Sequence, residues 1–164
     1  MGLVLPFLVI TINMPGLVQL TFSGWNASVS LELLGLFKFC LACAPLVLCI
    51  SNIMLANNIC DFEADKATRY TMPRHIGLKN AVRLFAVLYL FCYIAIIAAW
   101  SLGAIPWTCL LVLLTAIPVF RNVKSFSRKQ VKAETFILAI QNFLVLLVPY
   151  AASMFTGALV KFIF

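Results

Sequence analysis

Five apolar runs, interrupted by two basic loops and two loops without Lys or Arg, leave this 164-residue chain little choice of solvent. They extend roughly from Leu3 to Phe22, Leu31 to Asn58, Asn80 to Leu102, Ala104 to Phe120 and Thr135 to Phe162. Each spans or nearly spans a bilayer core, which takes about 20 apolar residues. Only 10% of the residues are charged and 64% are hydrophobic, whereas a soluble domain carries about 25% charged residues. Too little polar surface remains to wrap a water-soluble globule. The expected class is an all-α membrane protein, with about five transmembrane helices in a single membrane domain over residues 1–164.

Local signals sharpen that outline. Pro6 and Pro15 should bend the first helix, and neighbouring helices must satisfy the carbonyls so freed. The uncharged link from Ser23 to Ser28 reads as a turn, with Trp25 as an interfacial anchor. Ser30 is a candidate N-cap for the second helix, with Glu32 in its first turn. Pro45 is expected to kink that helix, and Lys38 to snorkel.

The second-to-third loop holds Lys66, Arg69, Arg74, Lys79 and Arg83; the fourth-to-fifth holds Arg121, Lys124, Arg128, Lys129 and Lys132. By the positive-inside rule both face the cytoplasm of a cell membrane, with the N-terminus inside and the C-terminus outside. That pattern accounts for the net charge of +7. No soluble basic face exists to bind nucleic acid, so none is expected as a partner. Cys40 and Cys43 form a CxxC without a second pair or a histidine partner, so zinc is not indicated. Their helical spacing in an apolar run reads as packing. No basic leader precedes the first run, so a signal peptide is not expected.

The stretch with chemical content is Asn57-Asn58-Ile59-Cys60-Asp61-Phe62-Glu63-Ala64-Asp65-Lys66. Asn57, Asp61, Asp65 and Arg69 recur every four residues. A helix continuing through them would place all four on one slowly drifting ridge. Two carboxylates one turn apart repel, more so at a membrane boundary than in open water. Mg²⁺ relieves that repulsion, since it commonly bridges one or two carboxylates to phosphate oxygens. Lys66, Arg69 and Arg74 lie close enough in sequence to pair with further phosphate oxygens. Ionisation of a diphosphate leaving group suits this set, because metal and cations stabilise the charge that develops. The blander alternative is a solvated loop whose acids balance its bases.

This stretch, followed by Arg69-Tyr70-Thr71-Met72-Pro73-Arg74-His75-Ile76-Gly77, resembles the second aspartate-rich motif of UbiA-type intramembrane prenyltransferases. It is most similar to the 1,4-dihydroxy-2-naphthoate polyprenyltransferases of menaquinone synthesis. The resemblance implies a nine-helix bundle, of which this chain matches the last five helices. It implies an Mg²⁺-dependent enzyme that transfers a prenyl group from a polyprenyl diphosphate to an aromatic quinone precursor. Asp61 and Asp65 then correspond to the catalytic Mg²⁺ ligands and Asn57 to the residue supporting them. Lys66, Arg69 and Arg74 are candidates for the diphosphate. The first four helices and the first aspartate-rich motif have no counterpart here, since Asp61 and Asp65 are the only aspartates. The expectation is a fragment, a truncated homologue without activity, or half of a split enzyme completed by a second chain.

Other polar positions have plainer explanations. His75, the one histidine, reads as a solvated loop residue, with a general-base role as the sharper alternative. Glu63 falls off the ridge. Asn13, Gln19, Asn52, Gln141 and Asn142 sit in apolar runs, where interhelical hydrogen bonds are expected. The alternative is that they line a pocket for the prenyl chain or acceptor. The Phe side chains read as packing against lipid, with shielding of an allylic carbocation as the alternative. The basic loop from Arg121 to Lys132 reads as a topology signal in contact with anionic lipid, with help to the diphosphate as the remainder. An ion-coupled transporter fits poorly, because coupling carboxylates usually lie near the midplane rather than at a helix end.

Overall fold

The computed structural model describes residues 18–23, 26–65 and 69–163. Its elements are strands β1 (Val18–Ser23) and β2 (Asn26–Leu31), then helices α1 (Leu33–Cys60), α2 (Phe62–Asp65), α3 (Met72–Ile76) and α4 (Leu78–Ser101). A 3₁₀ segment (Trp107–Thr115) follows and runs into α5 (Ala116–Arg128), and α6 (Phe136–Ile163) ends the described chain.

Among the described residues four spans are long and apolar enough to cross a membrane: Leu33–Cys60, Leu78–Ser101, Trp107–Arg128 and Phe136–Val160. The chain is therefore a multi-pass helical membrane protein. Large apolar side chains face outward along these helices, among them Leu90, Ile94 and Ile97 of α4 and Leu144 and Val148 of α6. Such continuous exposed apolar surface belongs against lipid.

Pairwise contacts fix the relative directions of the helices. Asn52 Nδ2 of α1 donates to the Phe85 carbonyl of α4 at 3.2 Å, and Cys49 and Cys92 face each other one turn away. Tyr89 of α4 reaches the Ala139 carbonyl of α6, and Tyr150 of α6 donates to the Ala42 carbonyl of α1 at 2.8 Å. Successive spans are thus antiparallel. The end of α1, the start of α4, the end of α5 and the start of α6 gather at one end of the bundle.

The bundle interior is aromatic at that end. Phe85, Tyr89 and Phe126 are fully buried, with Phe85 4.4 Å from Phe126 and edge-on to Tyr89 at 5.2 Å between ring centroids. Asn142 of α6 is also fully buried. It accepts from Asn122 Nδ2 of α5 at 2.9 Å and donates toward the Val119 carbonyl. Interhelical hydrogen bonding therefore accounts for Asn142 and for the Nδ2 of Asn52, whose Oδ1 is buried with no hydrogen-bond partner among the described residues, whereas Gln141 is exposed. Pro45 lies inside α1. It lacks the N–H that would serve the Leu41 carbonyl, and the bond from Tyr150 arrives at the adjacent carbonyl.

Two expectations are corrected. Val18–Ser23 is not the end of a helix; it pairs antiparallel with Asn26–Leu31, from Val18↔Leu31 to Ser23↔Asn26. Val-Gln-Leu-Thr-Phe-Ser and Asn-Ala-Ser-Val-Ser-Leu alternate strictly between apolar and polar, the period of a strand. The register sets Val18, Leu20 and Phe22 opposite Leu31, Val29 and Ala27. Gln19 and Ser30 consequently belong to strands, and Glu32 takes the N-cap position of α1 without a side-chain cap. The rest of the first apolar run, with Pro6, Asn13 and Pro15, lies outside the described residues, as does Trp25.

The second correction concerns the loop expected from Arg121 to Glu134. Its first half is helical, since α5 runs on to Arg128. Val119, Val123 and Phe126 are buried at spacings of four and three, so an apolar stripe continues under the basic face and carries the helix past its last hydrophobic run.

Candidate functional site

Four-residue backbone hydrogen bonding carries through the acidic motif, although α1 ends at Cys60 and α2 takes up again at Phe62–Asp65. The Asp61 N–H donates to the Asn57 carbonyl at 3.0 Å, Asp65 N–H to the Asp61 carbonyl at 2.8 Å, and Arg69 N–H to the Asp65 carbonyl at 3.0 Å. Asn57, Asp61, Asp65 and Arg69 are thus linked by successive four-residue steps. Asp61, with φ of −91° and ψ of 8°, marks the joint between α1 and α2. Asn57, Asp61 and Asp65 are half-buried, while Glu63 is exposed, as expected for a residue off the ridge.

Arg69-x-Thr71-x-Pro73-x-x-x-Gly77 forms a compact return to α4. Thr71 is extended at the N-cap of α3 (φ −100°, ψ 158°), and Pro73 enters the first turn, where a missing N–H does no harm. Gly77 has φ +82° and ψ 148°, a backbone conformation essentially reserved for glycine. It ends α3 and starts α4 in one residue. Arg74 folds back on this return: its Nη1 donates to the Arg69 carbonyl at 3.4 Å, and its guanidinium lies 4.5 Å from the centre of the Tyr70 ring. His75 is exposed and lies 5.3 Å from the same ring, centroid to centroid. Lys66 lies outside the described residues.

A further residue joins the ridge from the other basic segment. Lys132 Nζ donates to Asp61 Oδ2 at 2.5 Å. The connection that carries Lys132 is well held. Gln130 Nε2 donates to the Phe126 and Ser127 carbonyls. Thr135 Oγ1 accepts from the Val131 N–H at 2.9 Å, and Lys129 pairs with Glu134. Sequence spacing did not single out Lys132 among five cations of its segment. The usable signal was stoichiometric: a segment rich in cations had to share one end of the bundle with the only two aspartates.

Among the described residues no three His, Cys, Asp or Glu side chains cluster as a complete metal cage. The ridge offers two carboxylates, one oxygen of which is already held by Lys132. That donor set suits a cation which keeps several waters and takes its remaining ligands from phosphate oxygens, as Mg²⁺ does. It does not suit a structural zinc or calcium site.

Comparison with protein-family models, with curated proteins and with solved structures finds no significant match to this chain.

Proposed function

We propose that this chain is a UbiA-type prenyltransferase component, in which Asn57, Asp61 and Asp65 hold Mg²⁺ and the diphosphate of a polyprenyl donor. One observation carries the proposal: the series of four-residue backbone hydrogen bonds that links Asn57, Asp61, Asp65 and Arg69 at the end of a membrane helix. It is joined there by Lys132 from the facing connection. An apolar tail can lie among the helices while its charged head meets this polar end.

Asp61 and Asp65 supply the metal-binding oxygens, and Asn57 one turn earlier supports the diphosphate. When bound, Mg²⁺ neutralises charge on the leaving diphosphate. Lys132 fixes the Asp61 carboxylate and adds a positive charge beside it. Arg69 and Lys66 are further diphosphate donors in this account. Arg74 is engaged with the Arg69 carbonyl and the Tyr70 ring, and must swing away to contribute. The acceptor class that the motif favours is an aromatic quinone precursor, with 1,4-dihydroxy-2-naphthoate first, in menaquinone biosynthesis. The polar end is then cytoplasmic, in a bacterial inner membrane.

A second reading rests on the aspartate count. Asp61 and Asp65 are the only aspartates in these 164 residues, so a second aspartate pair has to lie outside them, in further sequence of the same protein or in another polypeptide. Without one, the chain is a homologue that binds the donor and does not turn it over.

The test is prenyl transfer in membranes from cells expressing the chain, given labelled polyprenyl diphosphate, dihydroxynaphthoate and Mg²⁺. Product that vanishes in Asp61→Ala supports the enzyme. Donor binding without product supports the second reading, and neither binding nor product removes both.

A further inference from the structure

A second polar feature at the same end of the bundle lies apart from the acidic ridge. An open groove of about 370 Å³ runs between the first turns of α4 and the end of α5, lined by Leu78, Lys79, Val82, Arg83, Ala86, Ser127 and Gln130. Its α4 wall has two registers. Leu78, Val82 and Ala86 make an apolar strip at four-residue spacing, and Lys79 and Arg83 make a cationic one beside it. On the α5 side the polar groups are already committed. Ser127 Oγ donates to the Val123 carbonyl at 2.8 Å, and Gln130 Nε2 to the Phe126 and Ser127 carbonyls. Lys79 and Arg83 are exposed. Among the described residues the ion pairs are Lys129–Glu134 and Lys132–Asp61, so both groove cations are unpaired.

We propose that this groove binds an anionic phospholipid, with its phosphate on Lys79 and Arg83 and one acyl chain along Leu78, Val82 and Ala86. The charge pattern selects this occupant. Two cations and no carboxylate line the groove, which matches a phosphodiester that needs no metal. A prenyl diphosphate carries more charge and travels with a divalent cation, which requires the carboxylates found on the ridge and not here. The site lies where a membrane protein meets headgroups, and basic clefts between helices at that depth recognise anionic lipids. The inference does not depend on the proposed diphosphate site.

The test is native mass spectrometry of the full chain in neutral detergent, titrated with phosphatidylglycerol or phosphatidylcholine. The variants are Lys79→Gln/Arg83→Gln in the groove, Lys79→Arg/Arg83→Lys as a charge-preserving swap, and Arg121→Gln/Lys124→Gln as an equal charge loss outside it. Phosphatidylglycerol should bind in preference to phosphatidylcholine. The groove variant should weaken that binding by about tenfold or more, as loss of two interfacial cations implies. The swap should retain it, and the outside control, which removes cations that touch lipid more diffusely, should lose clearly less than the groove variant. The proposal is overturned by equal binding of the two lipids, by equal loss in the outside control, or by retention in the groove variant. Competition arms identify the source of the phosphate: displacement of the lipid by equimolar inorganic phosphate or by geranylgeranyl diphosphate with Mg²⁺ would also overturn it.

Discussion

Lys132 Nζ sits 2.5 Å from Asp61 Oδ2 across 71 residues of chain, tying the α5–α6 connection to the joint between α1 and α2. Both side chains remain partly exposed, 54% for Lys132 and 23% for Asp61, so the pair does little for stability. Lys132→Gln should cost less than about 1 kcal/mol, read as a small change in Tm. Its effect should fall on the ligand. Under the proposed function, Mg²⁺-dependent affinity for a prenyl diphosphate drops about tenfold, as loss of one charge-assisted contact implies. Lys132→Arg should restore most of it. A large Tm loss with unchanged affinity would assign Lys132 to the fold alone.

Gly77 is where substitution should be expensive without any loss of packing. No atom would crowd an added Cβ, yet the backbone at φ +82° and ψ 148° excludes side chains. Gly77→Ala should destabilise by about 1–3 kcal/mol. Thermal melts and limited proteolysis of the 69–77 return would show it, with helix content in the spans retained.

The Asn122–Asn142 pair should behave as a buried polar unit. Asn142→Leu strands the Asn122 amide and should cost about 1–2 kcal/mol. The double variant Asn122→Leu/Asn142→Leu should recover part of that loss. A double-mutant cycle with no coupling would show that the pair contributes nothing.

Gly157 of α6 is a contact glycine. A Cβ there would collide with the Pro106 ring and lie 2.8 Å from Thr108 Oγ1, and Thr108 already donates to the Ser153 carbonyl at 2.7 Å. Gly157→Ala should lower Tm by prising the start of the 3₁₀ segment from α6, at about 1–3 kcal/mol for an overpacked site. Pro106→Ala should relieve it only in part, because the clashing Cβ is retained, whereas Pro106→Gly removes both clashing atoms.

Much of this was legible because lipid simplifies the problem. Spans expected over Leu31–Asn58, Asn80–Leu102 and Thr135–Phe162 appear as Leu33–Cys60, Leu78–Ser101 and Phe136–Ile163. Apolar length alone sets those boundaries to within about two residues. The four-residue spacing of Asn57, Asp61 and Asp65 also reads directly as a helical ridge. What escaped was written in other periods. Val18–Leu31 alternates by two, but its apolar content merged with the run before it. The end of α5 hides its buried stripe of Val119, Val123 and Phe126 among cations. The Lys132–Asp61 contact depends on how two distant segments meet, which no local spacing encodes.

The most direct measurement of the central claim is binding of a radiolabelled prenyl diphosphate to the full chain in nanodiscs, with Mg²⁺ and with a chelator, for wild type, Asp61→Asn and Asp65→Asn. The account predicts binding that requires Mg²⁺ and weakens about tenfold or more in each variant, as loss of a metal carboxylate implies. Binding that persists in chelator, or is equal in wild type and both variants, would contradict it.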